Sequence, residues 1–352
     1  MRMIFGKKDH LVGLDIGAAF VKVAELKTTK KGRTLHKFGI AKIPEGMIQE
    51  GRIADTEGLA EIIRSLFKSQ NIKEKNVAIS TGGHSVVIKT ISTSKVHDEE
   101  LHRNIRAEAE QYIPYDIDDV NIDYQILGDS EYSSEQMNVL LVAVRQDLVD
   151  EYVELIHMAG LNPVIIDVDT FALQNVYETL PDVDHERITL LLDVGASKTS
   201  VNILQNNNSM MMRDMTNGCY QLVSVVSERL EIDREKALQI IMGEVDYPES
   251  GQSLDDLYEI VVDNWCSDIC EVVHTFESGP GNDGIENIVI SGGGGFIDLL
   301  AEKLTAALKL TVSKINPFAG LVSDSKKLGE LEAYQLLSPI ALGLAMRRVN
   351  DK

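Results

Sequence analysis

The chain has 352 residues, 44% of them hydrophobic and 25% charged, and a formal net charge of −21. Its length exceeds one simple core, so two domains or four subdomains are expected, and its acidity excludes nucleic acid as the main partner, because phosphate binding needs clustered Lys and Arg. No apolar run approaches the ~18 residues of a spanning helix, and "MRMIFGKKDH" lacks the apolar stretch of a signal peptide, so a cytoplasmic chain is expected.

"LVGLDIG", "FVKVAEL" and "LHKFGIAKI" read as strands. Asp15 sits inside the first apolar run, where a carboxylate needs a partner. "KTTKKGRTLHK" (Lys27 to Lys37) reads as a basic hairpin tip turning at Lys31-Gly32, either solvated or touching anionic headgroups. "EGLAEIIRSLFKSQ" puts Leu59, Ile62, Ile63, Leu66 and Phe67 on one helical face, and "NVAISTGG" is a further strand. From about Ser85 a compact β-α-β-β-α insert is expected. Its parts are strand "VVIKTIS", helix "DEELHRNIRAEAEQYI", strands "NIDYQILG" and "MNVLLVAVR" around an acidic turn at Asp129 to Gln136, and helix "QDLVDEYVELIHMAG". "NPVIIDVDTFALQNVYETL" then gives a strand and a helix.

After Pro181 the pattern restarts with "ITLLLDVGASKTSVNIL". Asn206 to Asn208 form a hairpin turn leading to "SMMMRDMT", whose methionines are read as strand packing. Helical patterns run from "CYQLVSVVSERLEI" to "IVVDNWCSDICEVVHTF". Metal ligation by Cys219, Cys266 and Cys270 would need more Cys or His nearby, so they are read as ordinary thiols. "PGNDG" (Pro280 to Gly284) breaks the chain before strand "IENIVIS", a glycine run and helix "FIDLLAEKLTAAL". The small-residue helix in "SPIALGLAMRRV" is expected to pack closely against a sheet.

One segment occurs twice. Leu14-Asp15-Ile16-Gly17-Ala18 aligns without a gap with Leu192-Asp193-Val194-Gly195-Ala196, and Val23 and Leu26 then match Val201 and Leu204. Two copies, one at the start of each half, point to duplicated α/β domains facing each other across a cleft. Turns of small residues let backbone N–H groups cradle phosphate oxygens. An Asp before each turn can hold hydrated Mg2+, whose oxygen ligands come largely from water and phosphate; alternatively both Asp residues cap their own turns. The third element, "NIVISGGGGFIDLLAEKL", would let backbone lie flat against a base or ribose beside a helix N-terminus. No GxxxxGK[ST] loop is present.

The order DxG, DxG, GGGG resembles the actin-like ATPase superfamily. Within it, "EAEQYIPYDIDDVNIDYQIL" (Glu108 to Leu127) and "IIDVDTFALQN" resemble the PilM family of type IV pilus assembly, over roughly Leu11 to Arg348. The resemblance implies an α/β actin-like ATPase fold with subdomain 1A at 1–84 and 161–186 and an α+β insert, 1C, at 85–160. Subdomain 2A would cover 187–216 and 284–334, 2B would cover 217–283, and 335–352 would return to 1A as a helix.

The resemblance also implies a function. ATP with Mg2+ would sit between 1A and 2A, with at most slow hydrolysis. The short cytoplasmic N-terminal segment of an inner-membrane PilN-like protein would dock in a groove between 1A and 1C. The chain would thus be an assembly platform held peripherally at the inner membrane through its partner, with no direct membrane insertion; other pilus components and self-association stay open. Carried over by residue, Asp15, Gly17, Ala18 and Ala19 fall in the first phosphate loop, and Asp193, Gly195, Ala196, Ser197, Lys198 and Thr199 in the second. Asp15 and Asp193 would hold Mg2+ through water. Lys22 points to phosphate or to solvent. Gly292, Gly293, Gly294 and Gly295 fall at adenosine, with Glu235 and Lys236 as purine-pocket candidates or as an exposed charged face. Asp169 stands where relatives carry an acidic residue near the hydrolytic water, or caps its own helix. Tyr112, Ile113 and Tyr115 are candidates for the peptide groove, or close the insert's core. Two alternatives are an FtsA-like filament former of cell division and a sugar or small-acid kinase of the same fold. A kinase needs an acceptor pocket, where this insert carries "VVIKTIS" and "YIPYD".

Overall fold

The computed structural model describes residues 10–49, 51–83, 85–130, 133–247, 253–279, 283–322, 329 and 331–349. Met1–Asp9 of the N-terminal stretch read for a signal peptide, Glu131 and Tyr132 of the expected acidic turn, and the Pro280–Asn282 part of the expected chain break lie outside the described residues.

In the first half, β1 (Val12–Ile16), β2 (Phe20–Thr29) and β3 (Gly32–Lys42) form an antiparallel meander. A short hairpin of β4 (Ile48–Gln49) and β5 (Arg52–Ile53) leads to α1 (Thr56–Ser69), which Asp55 caps by accepting from the Gly58 N–H. β6 (Asn76–Thr81) then lies parallel to β1.

The insert follows as β7 (Val86–Ser94), α2 (Asp98–Ala109), β8 (Val120–Ser130) and β9 (Ser133–Arg145), a three-stranded antiparallel sheet with β9 central. Next come α3 (Gln146–Met158), β10 (Asn162–Val168) and α4 (Asp169–Tyr177), and β10 joins the first sheet parallel to β6. The reading that grouped α3 with the insert is amended. Its Leu148, Tyr152, Leu155 and Ile156 are buried in the core under β1 and α1, because their apolar face matches that sheet.

The second half repeats the sheet. β11 (Thr189–Val194), β12 (Thr199–Gln205) and β13 (Asn208–Met215) are antiparallel, while β14 (Asn287–Ser291) and β15 (Thr311–Lys314) add parallel strands. The order β13-β12-β11-β14-β15 matches β3-β2-β1-β6-β10 strand for strand. Asn206 and Asn207, both at positive φ, make the tight hairpin turn. α5 (Tyr220–Leu230), α6 (Arg234–Ile241) and α7 (Leu254–Glu277) build a helical layer whose core centres on buried Trp265. A Ser253/Asp256 capping box starts α7. α8 (Asp298–Leu308) follows the glycine run.

α9 (Pro339–Met346) is buried along its whole length against β1, β2 and α4. A Cβ at Gly13 would collide with the Ala341 carbonyl, and one at Gly343 with that of Ala172. The helix therefore seats between β1 and α4 only because glycine stands at both contacts. Arg347 just beyond it meets buried Asp167 of β10 at 3.4 Å.

Candidate functional site

The two Asp–Gly turns have the same local geometry. The Gly17 N–H donates to the Phe20 carbonyl at 3.0 Å, and the Gly195 N–H donates to the Lys198 carbonyl at 2.9 Å. Both turns face a cavity of about 660 Å³ between the halves, a volume ordinary for a small-molecule site. Ala18 and Ala19 line it from the first turn, and Ala196 and Ser197 from the second. The structure thus brings both predicted phosphate loops to one cavity.

Charge in the cavity follows from strand register. Asp15 lies opposite Lys22 across β1 and β2, and the Lys22 ammonium donates to Asp15 Oδ2 at 2.7 Å. Burial pushes the Asp15 carboxyl up, and Lys22 pulls it partly back. A metal reached through water was the expected partner of Asp15; its direct partner is Lys22, which is turned into the cleft and not to solvent. Asp193 holds the matching position but faces Ser200. Burial pushes its carboxyl up to about 6, with Ser291 and Lys22 offsetting only part.

Lys198 reaches Asp169 Oδ2 at 2.7 Å and Asp214 Oδ2 at 3.5 Å. Burial raises Asp169, but Lys198, with Ser80 and Lys22 adding to it, outweighs burial and holds the carboxyl below the ordinary range. Burial disfavours the charged form of Lys198, and its two carboxylates more than restore it. Asp169 occupies the first turn of α4, one residue past the N-cap Val168, and its carboxylate meets Lys198 at the cavity wall. Around the turns, Asp15, Asp169, Asp193 and Asp214 thus face Lys22 and Lys198. A polyphosphate would meet an excess of negative charge there unless a divalent cation accompanied it. Among the described residues no group of three or more His, Cys, Asp or Glu is poised to hold a metal, so water and phosphate would have to supply most ligands.

The remaining candidates divide. Gly292, at φ +81°, and Gly293 line the cavity; a Cβ on Gly292 would strike the Val194 backbone. Gly294 and Gly295 are buried against Val194 and Leu336, so they permit close packing instead of meeting a ligand. Thr199 is buried, and its hydroxyl donates to the Asn217 carbonyl outside the cavity. Glu235 and Lys236 do not line the cavity, because they fall on the outer face of α6. Glu235 is exposed and meets Lys42 at 3.4 Å, and the Lys236 N–H is taken by the Asp233 cap. The same helix instead turns Leu238 and Ile241 to the cavity, joined by Met242 at its C-cap, and Phe296 and Tyr334 also line this apolar wall. The i, i+3, i+4 spacing of Leu238, Ile241 and Met242 was the available signal.

Two further residues reach the cleft with no local signal in the sequence: Asp214, whose carboxylate accepts from the Gly83 N–H across the cleft, and Tyr220, whose hydroxyl donates to the Ala18 carbonyl at 2.9 Å. Cys219 lines the cavity, but burial pushes its thiol up to about 12, so it is not a thiolate nucleophile. In the insert, Ile113 is buried in the sheet's own core and is withdrawn from a peptide surface. Tyr112 and Tyr115 are half-buried against that core, with the Arg145 guanidinium 5.8 Å from the Tyr115 ring centre.

The profile of the family described as "Type IV pilus assembly protein PilM" matches residues 13–349. Among solved structures, the chain is similar to one from a "PilM-PilN type IV pilus biogenesis complex", with 25% identity, a TM-score of 0.84, and 97% of this chain and 99% of that chain covered. It shares its fold with the ethanolamine utilization protein EutJ from Carboxydothermus hydrogenoformans (13% identity, TM-score 0.57, 96% and 89% covered). It also shares its fold with MreB 5 of Spiroplasma citri bound to AMPPNP (14% identity, TM-score 0.51, 97% and 96% covered). Among the described residues no helix is long and apolar enough to cross a membrane.

Proposed function

The chain belongs to the PilM family of type IV pilus assembly proteins, and on that premise we propose that it is a nucleotide-binding platform that docks the cytoplasmic N-terminal segment of a PilN-like inner-membrane protein. The observation that carries the docking reading is the match along nearly the whole chain to a structure described as a PilM–PilN complex. For the nucleotide, ATP with Mg2+, the support is the pair of turns of matching geometry on one cavity together with its excess of carboxylates over lysines.

In this reading the Gly17 and Gly195 turns bracket the phosphates, and Lys22 and Lys198 supply the positive charge. Asp15 and Asp193 would hold the cation through water. Gly292 and Gly293 admit the nucleoside beside the apolar wall of Leu238, Ile241 and Met242. The cation would neutralise phosphate charge. Asp169 lines the same cavity and would act on the attacking water, with at most slow turnover. The partner segment reaches the 1A–1C side near Tyr112 and Tyr115, and membrane attachment is through that partner.

The test is co-purification of the full chain with the first twenty or so residues of a PilN-like partner, with and without Mg-ATP. Capture of the segment is expected, with a changed affinity when nucleotide is present. Absence of capture under both conditions overturns the docking reading.

A further inference from the structure

The second turn carries a residue that the first lacks. By the turn hydrogen bonds Lys198 stands where Phe20 stands in the first copy. Its ammonium leaves its own half of the molecule and lies 2.7 Å from Asp169 at the start of α4 in the other half. It also lies 3.5 Å from Asp214 on β13, which in turn accepts from the Gly83 N–H of the first half. A Cβ at Gly82 would collide with Lys198 Nζ and lie 2.6 Å from Asp169 Oδ2, so glycine there leaves room for the tie. One ammonium group thus joins the two halves at the same cavity wall that holds both turns.

We propose that Lys198 is a triphosphate-sensing latch. Without nucleotide it ties the halves together through Asp169, with Asp214 at its side; the terminal phosphate of a nucleoside triphosphate draws it off, exchanging a carboxylate partner for a phosphate partner. The proposal rests on the nucleotide reading of the cleft. The three N–H donors of an ammonium go to whichever acceptors carry more charge. A terminal phosphate carries about two negative charges and Asp169 carries one. A diphosphate is one phosphate shorter and leaves the tie in place. The exchange costs what it takes to leave Asp169 without its cation, so Asp169 opposes triphosphate binding while Lys198 favours it.

The two ends of one ion pair therefore affect nucleotide choice with opposite signs. The full chain is titrated by calorimetry with Mg2+ and either a non-hydrolysable ATP analogue or ADP, and the nucleotide-free proteins are melted in parallel. Lys198→Met should lower the triphosphate-over-diphosphate preference at least tenfold, and Lys198→Arg should keep part of it. Asp169→Asn should raise the preference at least threefold. Both Lys198→Met and Asp169→Asn should melt below the parent. A merely structural ion pair would lower both melting temperatures and leave the preference alone; that result, or a shift of the same sign in both variants, overturns the latch. If Lys198→Met does not fold, Lys198→Arg and Asp169→Asn carry the comparison. A parent chain that binds neither nucleotide overturns the nucleotide reading itself, and the latch with it.

Discussion

Asp15 and Asp193 occupy the same place in the two copies of one motif, yet only Asp15 has a lysine across the strand. The consequence is a pH dependence. Burial raises the Asp193 carboxyl from 3.8 to about 6, so between those values the folded chain binds more protons than the unfolded one. The contribution of Asp193 to stability then falls as pH rises from about 4 to about 6 and stays at the lower level above. Without divalent cation, Asp193→Asn should remove that fall and stabilise the protein at pH 7.5 by about 1–3 kcal/mol. Melting temperatures of parent and variant at pH 5 and 7.5 check this, and a variant less stable than the parent at both would contradict it. The same variant should bind Mg-ATP more weakly, since the cation would then lose a carboxylate.

At the scale of the element, α9 shows tertiary contact overriding local preference. Gly343 lies inside a helix, where alanine is ordinarily better by about 1 kcal/mol. Here the added methyl meets the Ala172 carbonyl of α4. Gly343→Ala should therefore destabilise the protein, by about 1–3 kcal/mol as for other overpacked cores, read as a lowered melting temperature. A gain in stability would show that the helix stands farther from α4. The glycine run divides in the same way: Gly292 and Gly293 serve the cavity, while Gly294 and Gly295 serve packing.

For the whole molecule, the cleft is spanned by contacts between residues far apart in the chain. Arg234 meets Glu45 through two bonds of 2.8 and 2.6 Å, Lys42 meets Glu235, and Tyr220 meets Ala18. Arg234 and Glu45 are both well exposed, and such pairs contribute about 0.2–1 kcal/mol. Arg234→Ala should hence leave the melting temperature nearly unchanged. Hydrogen exchange at the Gly83 amide, whose bond to Asp214 crosses the cleft, should nevertheless speed up severalfold, because the halves part more often. Unchanged exchange would mean that the buried ties alone keep the cleft shut.

The sequence by itself determined the repeat, the strand–turn–strand units, the glycine run and the elements of the insert, because each is written in local spacing: alternation for strands, glycine at turns, a 3.6-residue period for helices. It also placed Asp15 and Asp193 at equivalent positions. Only the tertiary structure decided who their neighbours are. Lys22 pairs with Asp15 through strand register, Lys198 crosses to Asp169 and Asp214, and α3 joins the first core. Glu235 and Lys236 turn outward while Leu238, Ile241 and Met242 turn in, since a helix has two faces and which one meets the cleft depends on how it docks. Electrostatic partners and docking faces are set by distances between residues remote in the chain, and no local period encodes those distances.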